Sequence, residues 1–355
     1  MRALIAMSGG VDSSVAAALV SEAGNTCTGC TMRLYENDMI GLPIIGTCCS
    51  LKDTEDARAV CNKLGIDYKI FHYEELFRQK VIEKFVSSYE NGITPNPCID
   101  CNRYFKFDHL YDNMEKLGYD TIVTGHYARI EFDEARGRYL LRKGVDHTKD
   151  QSYVLYTLTQ YQLEHTYLPL GEYSKAEVRQ FAEEHGFVNA RKHDSHDICF
   201  VPDGNYVGFM ERYRGKSYPE GDIVDTTGKV LGRHNGYVRY TIGQRKGLGI
   251  ASDRPLFVVR VEPRENRVVV GYEEELFHKT VTAGDVNLIS VEKIDKPMRI
   301  TAKIRYGQKE QPGVAEMTDD GRLKVVFDEA QRAPARGQAL VMYDGDIVVG
   351  GGVID

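Results

Sequence analysis

The run Ser8-Gly9-Gly10-Val11-Asp12-Ser13-Ser14 constrains this chain more than any other. It stands between a short apolar stretch at 3–7 and an alanine-rich stretch at 11–23 that stops at Gly24. The first reads as a strand and the second as a helix. Two glycines at the junction let the backbone turn sharply and approach a ligand. The amide groups at the start of the helix then face outward, where the helix dipole favours an anion. Ser8, Ser13 and Ser14 add hydroxyl groups, and Asp12 suits a Mg²⁺ ion carried by a phosphate ligand. A glycine turn before a serine-capped helix would look similar in isolation, but the strand–loop–helix setting favours a phosphate loop. The loop has no Walker-type lysine. That favours cleavage between the α- and β-phosphates of a nucleotide over γ-phosphate transfer.

Strand and helix patterns alternate through the first half of the chain. Residues 26–34 and 67–72 read as strands. Residues 54–64 read as a helix capped by Asp53 or Thr54 and ended by Gly65. Residues 74–89 and 102–117 are helical in pattern, and 121–124 is a strand. Alternation of this kind predicts an α/β fold with a parallel sheet covered by helices. Thr94-Pro95-Asn96-Pro97 interrupts it as a stiff loop, because each proline fixes its own φ and biases its predecessor away from helix. After about residue 205, short strands and turn signals such as Thr227-Gly228, Asp320-Gly321 and Asp344-Gly345 take over. Residues 256–262 with 267–271, and 340–343 with 347–349, read as hairpins. The expected division is 1–204 for the nucleotide-binding unit, 205–275 for a small mainly β unit, and 276–355 for a β-barrel.

The 355 residues suffice for three such units. The chain is 42% apolar and 27% charged, as in ordinary soluble proteins. It has no apolar run of about 18 residues, so no membrane span is expected. The short N-terminal stretch is not a signal-peptide core, and a cytoplasmic location is expected. The net charge of −7 repels nucleic acid overall, so any such partner would need local basic patches.

Eight cysteines in a cytosolic chain point to thiol, metal or redox chemistry rather than structural disulfides. Cys98-Ile99-Asp100-Cys101 follows the stiff proline loop and opens a helix, a position that favours thiolate. Cys199 follows Arg191, Lys192 and His193, whose positive charge acts the same way. Cys27 and Cys30 share the C-x-x-C spacing but lie in a strand, where they face opposite sides. Cys61 falls in a helical pattern as a core residue. Cys48-Cys49 adjoins a glycine-containing loop, with no role apparent.

Ser8–Ser14 resembles the PP-loop of ATP pyrophosphatases, which activate a substrate oxygen as an adenylate. Taken with Thr94–Asn102, Thr124–Tyr127, Lys149–Tyr153, Ile198–Phe200 and Gly243–Gly249, it resembles the bacterial tRNA-specific 2-thiouridylases along nearly the whole chain. The resemblance implies that ATP adenylates O2 of the wobble uridine in tRNAs for Lys, Glu and Gln, and that a persulfide delivers sulfur to C2. Cys199 matches the persulfide-bearing cysteine and Cys101 its partner. Ala6, Met7, Ser8, Gly9, Gly10, Val11, Asp12, Ser13, Met32 and Gly125 match nucleotide contacts. Asn96, Pro97 and Cys98 match the segment that meets the target base. His126, Lys149, Asp150, Gln151, Arg305, Tyr306 and Gln338 match tRNA-contacting positions. A cysteine desulfurase or a sulfur-relay protein is the implied donor. Arg239, Arg245 and Lys246 are further candidates for the tRNA backbone.

The chain departs from many members in carrying Cys98 where they carry aspartate. Cys98, Cys101 and Cys199 could then hold a [4Fe–4S] cluster with one iron open to sulfide. The two-cysteine persulfide route and a zinc site on the same thiols are the alternatives. Competing readings are another PP-loop synthetase that delivers an amine to an activated carbonyl, and a tRNA-binding protein with a relic ATP site. A thioredoxin-like reductase on Cys98 and Cys101 leaves the loop unexplained.

Overall fold

The computed structural model describes residues 1–36, 51–194 and 198–355; Cys48 and Cys49 lie outside the described residues. The chain opens with β1 (Arg2–Ala6), helix α1 (Val11–Glu22) and β2 (Thr26–Arg33), then α2 (Leu51–Leu64) and β3 (Asp67–His72). With β4 (Thr121–Val123) and β7 (Thr166–Tyr167) these strands form a five-stranded parallel sheet in the order β3-β2-β1-β4-β7. Ala3, Leu4 and Ile5 are fully buried. Leu4 joins one apolar layer while Ala3, Ile5 and Met7 join the other, the two-residue alternation of a strand covered on both faces. Cys30 and Cys27 divide between the same two layers, as their strand spacing predicts, and Cys61 is core.

Helix α1 buries residues on every side, so its alanines allow close packing against the sheet. It ends before Gly24, whose φ of +77° suits glycine. The expected start of α2 needs correction. The helix begins at Leu51, so Asp53 and Thr54 lie inside its first turn rather than capping it. The helical stretches at 74–90 and 97–116 each contain a π-type segment, Arg78–Ile82 and Asn102–His109, and the second is kinked at Phe107, which has φ −122° and ψ 17°. Such widened turns recur near functional sites.

Strand order reverses between β1 and β4, because β2 and β3 build outward on one side before the chain returns to the other. The loops after β1 and β4 therefore meet at the carboxyl end of the sheet, the usual ligand crevice of a parallel α/β fold.

A hairpin of β5 (Ala128–Asp133) and β6 (Arg138–Lys143) leaves this sheet altogether. It joins the C-terminal strands through Ile347 opposite Arg142. Those strands are β12 (Phe277–Leu288), β13 (Met298–Lys303), β14 (Gln311–Met317), β15 (Leu323–Arg332), β16 (Ala339–Asp344) and β17 (Ile347–Ile354). They run β12-β15-β14-β13-β16-β17, and β12 pairs again with β17 to close an antiparallel barrel. Between the two units, β8 (Gly221–Asp225), β9 (Val230–His234), β10 (Phe257–Glu262) and β11 (Arg267–Gly271) form a four-stranded sheet. Both expected hairpins, β10–β11 and β16–β17, are present. Among the described residues no helix is long and apolar enough to cross a membrane.

Candidate active site

The phosphate loop is held from several sides. Gly9 has φ +73°, and a Cβ there would lie 2.2 Å from the Asp53 carbonyl oxygen, so only glycine fits. Gly10 is the N-cap of α1 and brings no side chain to its first turn. The Ser13 and Ser14 hydroxyls each donate to the Gly10 carbonyl at 3.0 Å, and the Ser8 amide donates to Ser13 Oγ at 3.2 Å. The hydroxyls thus brace the turn, while the leading amides of α1 have no side-chain cap and are available to an anion. Gly125, on the loop after β4, abuts this turn. A Cβ there would meet Asp12 C at 2.8 Å and Ser13 N at 2.9 Å. Ala6 ends β1 and Met7 follows it, and Met32 is buried near the end of β2.

Although the loop lacks a lysine, the fold supplies cations from downstream. Lys192 Nζ donates to the Gly9 carbonyl at 3.0 Å, to Asp56 at 2.8 Å and to Asp53. Burial works against its charge, but bonds to Asp53 and Asp56 outweigh this and raise its pKa. Asn189 Nδ2 donates to the same Gly9 carbonyl at 3.0 Å and to Ser14 Oγ at 2.9 Å. Lys175 Nζ reaches both Asp12 oxygens, at 2.7 and 2.9 Å, and Asp194 at 2.7 Å. The Tyr127 hydroxyl donates to Asp12 at 2.8 Å. Burial, then the Asp12 charge, pushes that phenol far up. Asp194 also accepts from Lys149 and Arg179, each at 2.8 Å. Burial opposes its ionisation, yet Lys149 and Lys175 overcome this and bring the carboxyl down to about 2. Asp12 accepts three hydrogen bonds, and a carboxylate offers about four sites, which leaves room for a hard cation such as Mg²⁺.

The cysteine segments border one apolar cluster. Asn96 is extended and Pro97 opens α3 (Pro97–Cys101), where its missing amide costs nothing. Cys98 is exposed and Cys101 half-buried. The helix is pinned by a Lys84–Asp100 ion pair at 2.7 Å and by Asn102 donating to the Val154 carbonyl at 3.2 Å. Cys199 is half-buried, with its carbonyl accepting from the Tyr35 hydroxyl at 2.8 Å. Cys101 and Cys199 both pack against one large apolar cluster, which also contains Phe77, Phe85, Phe105 and Phe200. Among the described residues no group of three or more His, Cys, Asp or Glu is placed to hold a metal ion. Cys98, Cys101 and Cys199 are thus not brought together as such a group among the described residues.

The positions matched to tRNA contacts are mostly engaged within the protein. Gln151 accepts from the Tyr127 amide at 3.0 Å, and Lys149 binds Asp194, so this motif adjoins the nucleotide site. Asp150 is buried and accepts from Gly144, Ser152 N and Ser152 Oγ. His126 is buried beside Thr124, with Nδ1 2.7 Å from its hydroxyl. Burial, then the Lys106 charge, holds the imidazole well below its ordinary pKa, and hence neutral. Arg305 donates to the Ala333 carbonyl at 2.7 Å and the Ile242 carbonyl at 3.3 Å. Tyr306 remains 46% exposed while donating to the Asp150 carbonyl at 3.1 Å. Burial, then the charges of Asp150 and Cys98, raises its phenol pKa. Gln338 donates to the carbonyls of Thr94 and Pro95. Arg239 pairs with Glu211 at 3.2 Å. Arg245 and Lys246 are exposed, and Arg245 lines an open cavity of ≈ 680 Å³ in the central unit.

Sequence reasoning missed Lys175, Asn189, Lys192 and Asp194 as parts of the nucleotide site. One signal was available. Ser174 and Glu177 form a capping box, which puts Lys175 at the first position of a helix, α4 (Lys175–Glu184), where a cation opposes the dipole.

Three family profiles match the chain. They are described as a tRNA methyl transferase HUP domain (residues 1–203), a tRNA methyl transferase PRC-barrel domain (207–272) and an aminomethyltransferase beta-barrel domain (278–354). The tRNA-specific 2-thiouridylase MnmA of Clostridioides difficile (strain 630) is 50% identical over 354 residues, covering 100% of this chain and 98% of the relative. The protein of the same name from Acetivibrio thermocellus is 48% identical, covering 99% of each. The MnmA 2 protein of Caldanaerobacter subterraneus subsp. tengcongensis is 48% identical, covering 100% of this chain and 98% of the relative. With the phosphate loop, the two cysteine segments and the three-part architecture in one chain, these likenesses leave one assignment: the chain belongs to the tRNA-specific 2-thiouridylase family.

Proposed function

We propose that this protein is a tRNA-uridine 2-sulfurtransferase. It adenylates O2 of the wobble uridine at position 34 of tRNAs for Lys, Glu and Gln and replaces that oxygen with sulfur. The observation that carries the reading is the tie between the two halves of the chemistry. Asn189 and Lys192, just upstream of Cys199, both bind the carbonyl of Gly9 in the phosphate loop.

ATP sits on residues 6–13 with Met32 and Gly125. Asp12 would hold a Mg²⁺ ion, which would offset phosphate charge. The uridine reaches this site by leaving its stack, which costs little in an anticodon loop. Asn96, Pro97 and Cys98 meet the base. His126, Lys149, Asp150, Gln151, Arg305, Tyr306 and Gln338 support the tRNA. The O2 oxygen attacks the α-phosphorus, and pyrophosphate leaves. A persulfide on Cys199, loaded by a cysteine desulfurase or relay protein, attacks C2 through its terminal sulfur. The C2–O2 bond breaks and AMP departs with the oxygen. The Cys101 thiolate then attacks Sγ of Cys199, forming a Cys101–Cys199 disulfide. The bond to the transferred sulfur breaks and the electron pair leaves on 2-thiouridine. An external dithiol reductant restores both thiols. A [4Fe–4S] route through Cys98, Cys101 and Cys199 finds no support in the positions of these thiols. The division at 1–204, 205–275 and 276–355 assigns these roles to an adenylation and thiolation unit, a central tRNA-binding unit and a barrel.

Methyl transfer, named in two of the profile descriptions, needs neither an adenylating loop nor paired cysteines. The test is nucleoside mass spectrometry of tRNA from cells lacking this protein. Loss of 2-thiouridine is expected, and an unchanged level would refute the reading.

A further inference from the structure

The stiff loop before Cys98 is short of partners within its own unit. Pro95 and Pro97 have no amide hydrogen; the Asn96 carbonyl closes locally on the Ile99 amide at 3.2 Å, while the polar groups of Thr94 and Pro95 take partners elsewhere. They find them on one turn of the barrel between β15 and β16. The Thr94 amide donates to the Arg336 carbonyl at 2.9 Å. Gln338 Nε2 donates to the Thr94 carbonyl at 2.9 Å and to the Pro95 carbonyl at 3.2 Å. Between them Gly337 has φ +86°, and a Cβ there would lie 2.4 Å from Ile93 Cγ2 and 2.9 Å from the Thr94 oxygen. The turn is itself fixed to the last strand. Gly337 N donates to the Ile354 carbonyl at 2.9 Å, and Ile354 N donates to the Gln338 carbonyl at 2.8 Å.

We propose that the barrel turn Arg336-Gly337-Gln338 is a clamp that positions the Thr94–Pro97 loop, and through it Cys98 and Cys101, with Gln338 as the positioning residue. A glutamine amide has two donor hydrogens. Both face carbonyl oxygens of the loop, so Gln338 has no amide hydrogen left for a nucleic acid while the clamp is closed. Only its Oε1 can accept from another partner. Pro97 starts α3 from the clamped loop, so the direction in which that helix leaves is set by a part of the chain 244 residues away. Tyr306, also on the barrel, donates to the Asp150 carbonyl at 3.1 Å, a second barrel contact with the N-terminal unit. The barrel therefore shapes the thiol-bearing site as well as meeting tRNA. That catalytic consequence rests on the sulfurtransferase reading; the clamp itself does not.

Two full-length variants separate the possibilities. Gln338→Glu keeps the size and removes both donors, while Gln338→Lys keeps donors that can reach both carbonyls. Hydrogen exchange read by mass spectrometry, without tRNA, should show the 93–101 segment exchanging about tenfold faster in the Glu variant. The Lys variant should stay near the parent protein, and peptides of α1 should be unchanged in both. At saturating tRNA, the Glu variant should lose about tenfold in thiolation kcat while the Lys variant keeps it. A filler role would give both variants the same phenotype. Equal exchange at 93–101 in all three proteins overturns the clamp. So does a Glu variant whose only defect is weaker tRNA binding. Should the Glu variant also lose protection throughout the barrel, Gln338→Ala, at a half-buried site without introduced charge, is read by the same criteria. Because exchange is measured without tRNA, a wrong substrate assignment would leave that result standing.

Discussion

Lys175 Nζ lies 2.7 and 2.9 Å from the two carboxylate oxygens of Asp12, although 163 residues separate them in sequence. The same ammonium reaches Asp194 at 2.7 Å, so one side chain joins the phosphate loop to the segment that precedes Cys199. Lys175→Met would leave two carboxylates facing each other without their shared cation. Removing one partner of a fully buried pair costs about 3–5 kcal/mol. Asp12 is 32% exposed at its side chain, so we expect about 1–3 kcal/mol here. Urea unfolding followed by circular dichroism reads this directly, and an unchanged midpoint would contradict it.

The Asp194 carboxyl gives that network a defined pH dependence. Its pKa in the folded chain is about 2, below the ordinary 3.8. A depressed carboxylate pKa contributes stability that is complete above the unfolded value and lost as pH falls through the folded one. The window is therefore about pH 4 to 2, and the contribution at neutral pH is about 2 kcal/mol. Asp194→Asn should flatten the acid limb of a stability–pH curve over that range. A variant curve parallel to that of the parent protein would show that Asp194 is not responsible.

Gly125 is where the loop after β4 touches the first turn of α1. An added methyl would meet backbone atoms of Asp12 and Ser13 at 2.8–2.9 Å, and backbone cannot step aside as a side-chain end can. Gly125→Ala should displace the leading amides of α1 and weaken ATP binding by about tenfold or more. Calorimetric titration with a non-hydrolysable ATP analogue measures it. Retention of full affinity would mean the turn has slack that the packing does not indicate.

The two thiols of the proposed sulfur transfer should fail in different ways. Cys199→Ser cannot carry a persulfide, so 2-thiouridine formation should stop while nucleotide binding persists. Cys101→Ser can accept sulfur at Cys199 but cannot resolve the product. It should accumulate tRNA joined to Cys199 through a disulfide, visible on a non-reducing gel and released by reductant. Cys98→Ser should keep most single-turnover activity. Its loss together with bound iron, after anaerobic reconstitution with iron and sulfide, would restore the cluster route.

Local sequence carried the elements. Alternating burial at Ala3, Leu4 and Ile5, the glycine stops at Gly24 and Gly65, and the two β hairpins all follow from periodicity and turn chemistry. The start of α2 did not, because Asp53 and Thr54 look like caps while the helix had already begun at Leu51. Asp53 is instead committed to Lys192, a contact across 139 residues that no local pattern contains.

The turn and helix start of the Ser8–Ser14 loop were legible because their geometry is local. A tight turn needs glycine, and a helix start offers its own amides. What surrounds them was decided by the tertiary structure alone. Lys175 and Lys192 supply the positive charge that the loop lacks, and the β5–β6 hairpin crosses to the barrel sheet. The barrel turn at Gly337 holds the loop before Cys98. Ion pairs and close backbone approach depend on distance in space. A chain with long crossovers brings together residues whose separation along the sequence says nothing of their contact.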